Sequence, residues 1–276
     1  MTHETIIRLS CFIAILVAVA VWEALAPRRP LTSRKTVRWF SNFGIVFLNS
    51  VLVKITFSLL PVGLAQIMFD KQAGLLNIIT LPFWLKVLLA VLILDFVIYL
   101  QHVMFHALPV LWRFHMMHHA DLDIDVSTGL RFHPVEIGLS MGIKLGVVVL
   151  LGPPAVGVLI FEILLNGTSL FNHGNIRMPA ALDRFLRLWI VTPDMHRVHH
   201  SVEIKETNSN FGFNLPWWDR LFGTYKAQPK AGHKNMTVGL SQFRDQACLA
   251  LHWLLVLPFL RKTPRHYSLS STRDAE

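Results

Sequence analysis

The sequence predicts an all-α, polytopic integral membrane helical bundle with a cytoplasmic histidine-rich cap, and three observations carry that prediction. Apolar residues make up 53% of the 276 residues and charged residues only 16%, which is more apolar than a typical soluble domain. The apolar residues gather in runs long enough to cross a bilayer as helices. Ten of the 14 histidines lie between positions 102 and 200.

Five membrane spans are expected from the apolar runs. The first covers residues 6–26, the second about 40–69, and the third begins near Leu81 and continues through the first histidine pair. The run over 135–171 is too long for one span and is broken by two prolines at 153 and 154, so it predicts two helices joined by a tight turn. A cleaved signal peptide is the alternative for the first run, and the proline directly after that run disfavours it.

Basic residues between the first two spans orient the bundle. They are Arg28, Arg29, Arg34, Lys35 and Arg38, and the positive-inside rule places this loop in the cytoplasm. Counting spans from there puts every histidine cluster on the cytoplasmic side and residues 70–80 outside. The net charge of +9 is therefore attributed to cytoplasmic loops and anionic lipid, and no nucleic-acid recognition motif is present.

The histidines are spaced as metal ligands on helices. His102 and His106 are four residues apart and share a helical face. Two further segments, HMMHH at 115–119 and HRVHH at 196–200, each end in adjacent histidines. Those neighbours point about 100° apart, so they can serve two different ions. The candidate ligands are His102, His106, His115, His118, His119, His196, His199 and His200, with His133 and His173 standing singly.

This set holds more nitrogens than one four-coordinate ion can use, which predicts two metals. Imidazole suits zinc, copper, iron and nickel. A histidine-rich pair of sites at the cytoplasmic mouth of a membrane bundle has access to lipid chains, oxygen and a soluble reductant, which favours iron. The remaining histidines, His3, His233, His252 and His266, fall outside the pattern and are expected to be ordinary surface or interfacial residues.

Several polar residues are candidates to orient the ligands. Asp95 lies on one helical face with His102 and His106, and Glu162, Asn166 and His173 share a face in the fifth span. Asp121, Glu136 and Asp194 are close in sequence to ligand histidines. Ligating imidazoles usually donate their second N–H to such groups.

Together these residues resemble the fatty acid hydroxylase superfamily, also called the sterol desaturase family. The resemblance is carried by residues 95–106 (DFVIYLQHVMFH), 115–119 (HMMHH), 131–136 (RFHPVE), 172–175 (NHGN) and 196–200 (HRVHH), and by the closing segments 207–212 (TNSNFG) and 218–224 (WDRLFGT). It covers roughly residues 90–226. On this basis we expect N-terminal transmembrane helices and a basic loop over 1–80, a catalytic domain over 81–226, and a C-terminal interfacial helix and tail over 227–276. Residues 178–190 are expected to form another interfacial helix.

The resemblance implies a non-haem di-iron oxygenase that uses O2 and two electrons to oxidise a C–H bond of a lipid, of sterol, sphingolipid or fatty acyl type. All ten candidate histidines would be ligands. The chain carries two cysteines and no haem motif, so a separate electron donor of ferredoxin, rubredoxin or cytochrome b5 type is implied. The expected location is a bacterial inner membrane rather than the endoplasmic reticulum.

Three alternatives stay open at this point. A lipid desaturase would share every ligand with a hydroxylase, because the outcome depends on where the substrate carbon sits. A histidine-rich metal transporter would distribute its ligands along a path on both sides of the membrane, whereas these map to one side. An inactive scaffold is disfavoured by the complete ligand set.

Overall fold

The computed structural model describes residues 3–260 and residue 269. All regular elements in this part of the chain are helices, and the only β pairings within it are two isolated bridges, Pro27 with Ile176 and Ser201 with Val238. The all-helical prediction is therefore confirmed for the residues described.

Five long apolar stretches form the bundle. They are α1 (His3–Leu25), α2 (Lys35–Thr56), α5 (Phe83–Ala107), α7 (Pro134–Leu151) and α8 (Ala155–Asn172). The second stretch continues through the shorter α3 (Pro61–Asp70) and α4 (Leu75–Ile78). Each stretch is long and apolar enough to cross a membrane, as the sequence predicted.

The second span, predicted over about 40–69, is built from more than one helix. Helix α2 ends at Thr56, and Phe57 is extended with φ −110° and ψ 108°. Pro61 then occupies the first turn of α3. Proline lacks an N–H and is well suited to the start of a helix, so it divides the apolar run into two.

The two ends of the bundle are distinct. At one end, Gly74 (φ +94°) meets Gly152 so closely that a Cβ on Gly74 would lie 2.4 Å from the Gly152 nitrogen. At the other end, the basic loop packs on the histidine-bearing cap, where Arg28 pairs with Asp194 at 3.0 Å and Arg38 with Asp121 at 2.7 Å. The expected grouping of the loops is thus found, with the basic loop and the histidines together and residues 70–78 opposite.

Helix α8 forms the centre of the bundle and contacts α1, α3 and α5. Buried Leu94, Ile98, Val148 and Phe161 belong to one core cluster. Within the spans, Glu162 pairs with Arg8 and with Lys144, whose Nζ lies 2.9 Å from Oε1. These charges therefore satisfy one another in the bundle interior, where an unpaired charge would be costly.

Short helices build the cap on the histidine side. They are α6 (Pro109–His119), a 3-10 helix (Val126–Leu130), α9 (Ala180–Leu186), α10 (Pro193–His199), α11 (Ile204–Thr207), α12 (Trp217–Leu221) and α13 (Gly232–Asn235). Helix α9 lies within the predicted interfacial segment, and its Leu182 and Phe185 are exposed, as is the nearby Trp189. Exposed apolar and aromatic side chains of this kind are typical of a helix at a membrane surface.

The C-terminal apolar segment folds as three short helices rather than as one helix. A 3-10 helix (Gln246–Leu249) precedes α14 (Leu251–Val256), and a second 3-10 helix (Leu257–Phe259) follows it. These elements pack against α2 and α6. The tail after residue 260, including His266, lies outside the described residues apart from residue 269.

Candidate metal centre

Nine of the ten predicted ligand histidines come together in two groups. Within each group the candidate ligand atoms all lie within 4.8 Å of one another, and every member is buried. The first group is His102, His106, His115, His119 and His199, and the second is His118, His173, His196 and His200. Clusters of buried neutral imidazoles are an arrangement that transition metals favour.

The two HxxHH segments are divided between the groups in opposite ways. In the segment on α6, His115 and His119 go to the first group and His118 to the second. In the segment that ends α10, His196 and His200 go to the second group and His199 to the first. Each segment therefore gives a pair of histidines four residues apart to one group and the intervening histidine to the other. The helical spacing predicts that the adjacent histidines of each segment diverge, and the structure assigns them to different groups.

The local sequence explains where the helices that carry the histidines begin and end. Helices α6 and α10 both begin with proline, and the Thr192 side chain caps α10 by accepting from the Met195 N–H at 3.4 Å. His102 and His106 occupy the last two turns of α5, whereas His173 is the C-cap residue directly after α8. The ends of four helices, α5, α6, α8 and α10, therefore meet at the histidine groups on the cap side of the bundle.

The Nδ1 atoms of six of these histidines face away from the two groups and toward fixed acceptors. Backbone carbonyls accept from four of these histidines, a carboxylate from the fifth and a side-chain amide oxygen from the sixth. The pairs are His102 with Phe211 at 2.8 Å, His118 with Arg131 at 3.1 Å, His173 with Ser169 at 2.7 Å, His199 with Ser209 at 2.8 Å, His115 with Glu136 at 2.7 Å, and His106 with Asn208 at 3.2 Å. Such contacts fix the ring orientation and put the proton on Nδ1.

The Nε2 atoms of these rings consequently carry lone pairs that point at one another. His102 and His115 approach to 3.1 Å between Nε2 atoms, and His118 and His173 to 3.0 Å. The Nε2 atoms of His106 and His199 have no hydrogen-bond partner in the described structure. Two lone pairs at this distance repel unless a cation lies between them, so the donor set fits metal ions.

Electrostatics favours the ligating form of the rings outside the spans. Burial, reinforced by neighbouring imidazoles, lowers the pKa of His118, His119, His196 and His200 well below the ordinary value. Burial also lowers the pKa of His173 to about 4 and that of His199 to about 3. These rings are therefore neutral at cellular pH, which is the state that binds a metal.

The carboxylates have different roles from those expected, with one exception. Glu136 does orient His115. Asp95 does not contact a ligand histidine, because its Oδ2 accepts from Trp218 Nε1 at 2.8 Å. Glu162 is taken by Arg8 and Lys144 rather than turned toward His173. In both cases a partner elsewhere in the chain takes the carboxylate.

Asp121 and Asp194 pair with arginines rather than with the candidate ligand histidines. Asp121 pairs with Arg38, and Asp194 pairs with Arg28 and Arg197. They hold the segments that carry ligands to the basic loop, so their effect on the histidines is indirect.

His133 is the predicted ligand that the structure places outside both groups. Its Nδ1 accepts from the Val135 N–H at 3.2 Å and so caps α7, and its Nε2 lies 3.3 Å from the Leu255 carbonyl. Both ring nitrogens are therefore occupied away from the centre. Among the histidines considered ordinary, His3 and His252 are exposed, but His233 is buried and its Nε2 lies 3.7 Å from Asp194.

The closing segments at 207–212 and 218–224 have a structural task that the sequence did not reveal. Asp219 accepts from the N–H groups of Phe211 and Gly212 at 2.7 and 2.8 Å. A Cβ on Gly212 would lie 2.6 Å from Asp219 Oδ2, so only glycine fits there. Asn210, with φ 53°, donates to the Met195 carbonyl at 2.9 Å. These contacts fix the loop whose carbonyls orient His102 and His199.

A cavity of about 330 Å³ opens from the first histidine group into the bundle. His102 and His115 form part of its wall, and apolar side chains such as Phe12, Val53 and Leu165 form much of the rest. A largely apolar cavity beside a metal-ligand cluster, and between spans, is suited to an acyl or other hydrocarbon chain.

Comparisons with known proteins point to one family. The sequence model of the fatty acid hydroxylase family matches residues 87–224, half of the chain. Ornithine lipid hydroxylase OlsE of Rhizobium tropici is 32% identical over 181 residues, which is 66% of this chain and 52% of that protein. No solved structure matches the chain.

Similarity to animal enzymes covers a smaller part of the chain. Human alkylglycerol monooxygenase is 30% identical over 140 residues, covering 49% of this chain and 29% of the relative. The protein of the same name from Danio rerio is 33% identical over 138 residues, covering 50% and 30%. The chain thus spans about half the length of the bacterial relative and under a third of these two.

Proposed function

The chain belongs to the fatty acid hydroxylase family, and on that premise we propose that it is a membrane-bound non-haem di-iron oxygenase that hydroxylates a C–H bond of a lipid. The observation that carries the proposal is the shared position of His102 and His115. Both belong to the first histidine group and both line the cavity between the spans. A lipid chain in this cavity would therefore lie directly against the metal centre.

The proposed ligands are the nine grouped histidines, without His133. Two iron ions held by them would supply the redox chemistry by which O2, two electrons and two protons convert a C–H bond into C–OH and water. The chain itself would hold the ions, orient the imidazoles through Glu136 and the carbonyls of the closing loop, and exclude water with the apolar cavity wall. The names of the relatives, a hydroxylase and a monooxygenase, support hydroxylation over desaturation.

We also propose a separate electron donor of ferredoxin, rubredoxin or cytochrome b5 type, because the chain has only two cysteines, Cys11 and Cys248, which stand apart in sequence. The cap is proposed to face the cytoplasm of a bacterial inner membrane. The positive-inside rule supports this orientation, as does the packing of Arg28 and Arg38 on the cap.

Metal content and lipid oxidation test the proposal together. Protein purified without oxygen is expected to contain two iron atoms per chain by elemental analysis, with nitrogen ligands by X-ray absorption. Cells that express it should accumulate a lipid heavier by one oxygen in mass spectrometry. His118→Ala and His199→Ala should abolish that product and lower the metal content, whereas the matched control His252→Ala, an exposed histidine, should retain both.

Two results would count against the proposal. Carefully loaded protein with almost no metal would remove the cofactor assignment. A His199→Ala variant that makes as much oxidised lipid as the parent, at equal membrane abundance, would remove the catalytic assignment.

A further inference from the structure

The cavity beside the first histidine group is surrounded by all five long helices of the bundle. Phe12 of α1, Val53 of α2, Ile98 of α5, Ser140 of α7 and Leu165 of α8 all contribute to its wall. Because the cavity lies between the membrane spans, the position of its opening decides from where a lipid chain reaches the metal centre.

Packed side chains occupy both ends of this cavity. At the cap end, His102 and His115 form the wall together with Leu130 and Phe132. At the opposite end, Ile98 lines the cavity and also belongs to the core cluster that fills the bundle interior. A chain that enters along the bundle axis would therefore have to displace either the cap or the core.

A group of charged side chains lies one helical turn beyond the core end of the cavity. Ser140 and Asn166 line the cavity; Lys144 follows Ser140 by four residues on α7, and Glu162 precedes Asn166 by four on α8. Lys144 Nζ lies 2.9 Å from Glu162 Oε1, and Arg8 of α1 also pairs with Glu162. An apolar chain in contact with these charges would hinder their solvation, so this end is unsuitable for lipid entry.

Packing between neighbouring helices closes four of the five sides of the cavity. Helix α8 contacts α1 and α5, and α7 contacts α5 and α2. Between α5 and α7, Gln101 Nε2 donates to Ser140 Oγ at 2.9 Å, and both residues line the cavity. Helix α1, in contrast, packs mainly on α8 and has little contact with α2 in the described structure. The side between α1 and α2 is therefore the least closed.

Helix α2 also loses its packing at this side. Within residues 50–56, every residue except Val53 is exposed, and Val53 lines the cavity. Nearer the cap, Trp39 and Phe43 of α2 and Leu16 of α1 pack against one core cluster, which fills the space between the two helices there. The opening is therefore confined to the part of α2 that lies away from the cap.

The opening lies at the depth of the lipid chains. Phe12 on α1 and the exposed Ser50 on α2 both line the cavity at this side. Ser50 follows Arg38, which is bound to the cap, by twelve residues, a rise of about 18 Å along a helix. The hydrocarbon core of a bilayer is about 30 Å thick. Chains of bilayer lipids surround a site at this depth, whereas a water-soluble carrier stays outside it.

We propose that the substrate chain enters the cavity laterally from the bilayer, between α1 and α2 and past Phe12 and Ser50. The enzyme would then act on lipids resident in the membrane, and not on acyl chains delivered from water as soluble thioesters. The inference rests on the proposed function and adds to it the source of the substrate.

Photolabelling from the bilayer tests this entry path without any oxidation. The protein is reconstituted in vesicles that contain a phosphatidylglycerol with a diazirine in one acyl chain, and no reductant is added. After irradiation, mass spectrometry of the peptides locates the label. In the wild-type protein we expect label at the cavity residues Phe105 and Leu165, and also at Leu139, an exposed residue of α7 that does not line the cavity.

Two variants change the opening in opposite directions. Ser50→Trp places an indole across it and should lose most of the label at Phe105 and Leu165, with the label at Leu139 retained. Phe12→Ala widens the opening and should increase the rate of cavity labelling. The matched control is Ile55→Trp, which puts the same side chain at an exposed position of α2 that does not line the cavity, and it should label like the wild type.

A second probe tests delivery from the aqueous side. It is an acyl thioester of coenzyme A with the same diazirine chain, added in water. Cavity labelling by this thioester that Ser50→Trp leaves unchanged would overturn the inference.

Three results with the vesicle lipid would overturn it as well. They are a wild-type cavity without label, equal cavity labelling in Ser50→Trp and the wild type, and a Phe12→Ala variant that labels no faster than the wild type. The last result decides if Ser50→Trp does not fold. The proposed function fails in a different way: the cavity would be labelled, but no lipid would gain oxygen in loaded protein.

Discussion

Removal of the Arg38 side chain is expected to destabilise the cap and to lower metal content at the same time. Arg38 is fully buried at the start of α2. Its Nε and one terminal nitrogen bind both oxygens of Asp121 at 2.7 and 2.9 Å, and the other terminal nitrogen binds Asp125 at 2.5 Å. Burial acts to raise the pKa of Asp121, but the Arg38 and Arg131 guanidinium groups outweigh it and hold that pKa below its ordinary value.

Arg38→Ala therefore leaves two buried carboxylates without their main partner. Breaking a buried ion pair in this way costs about 3–5 kcal/mol. The disturbed segment leads to Arg131, whose carbonyl orients His118, so the second histidine group should lose affinity for metal. Arg38→Lys keeps the charge, but lysine lacks the planar fork that bridges both carboxylates. Its stability and metal content should therefore lie between those of Arg38→Ala and the wild type.

The assay is thermal unfolding in detergent together with metal analysis, and Arg34→Ala is the control because Arg34 is an exposed arginine of the same loop. We expect Arg34→Ala to match the wild type in both measurements. If Arg38→Ala melts at the same temperature and holds the same metal as Arg34→Ala, the basic loop has no structural role in the cap and this reasoning is wrong.

Three further predictions follow from orientation, burial and ligand grouping. A cysteine in place of the exposed Lys71 should react with an impermeant reagent from outside the cell and one in place of the exposed Gln228 should not, in a variant without the native cysteines; the reverse pattern would contradict the cytoplasmic cap. Burial lowers the pKa of His233 to about 4, so the unfolded chain binds a proton more tightly, and the free energy of unfolding should fall by up to about 3 kcal/mol as pH drops from 6.5 to 4. The melting-temperature profile of His233→Gln should lack this part of the decline, and identical profiles would show that His233 does not titrate on unfolding. His133→Ala should retain both metals in elemental analysis whereas His118→Ala should not, and a loss of metal in the His133 variant would return that residue to the ligand set.

Much of the fold follows from short-range patterns in the sequence. The five spans depend on the length and composition of apolar runs, and the forked histidines depend on helical periodicity; both are local properties. The break before Pro61 was also readable, since a proline inside an apolar run signals the start of a new helix.

Long-range contacts explain the remaining differences. Helical spacing correctly put Asp95 on the face of His102, but Trp218, 123 residues away in sequence, takes its carboxylate. No other histidine lies three or four residues from His133, so it shares no helical face with another candidate ligand. Pro134 begins α7 directly after it, which places His133 at the N-cap position of that helix. The carbonyls of Ser209 and Phe211 carry no side-chain signature, so no sequence pattern identifies them as partners of ligands.

The opposite division of the two HxxHH segments has a thermodynamic consequence. Helices α6 and α10 each contribute to both histidine groups, so the first ion bound would fix both helices and part of the ordering cost of the second site would already be met. Metal loading should then be cooperative, with the second ion binding more tightly than the first and singly loaded chains scarce in a titration. When metal is limiting, the protein would therefore consist of fully loaded and empty molecules, with few molecules that carry a single ion.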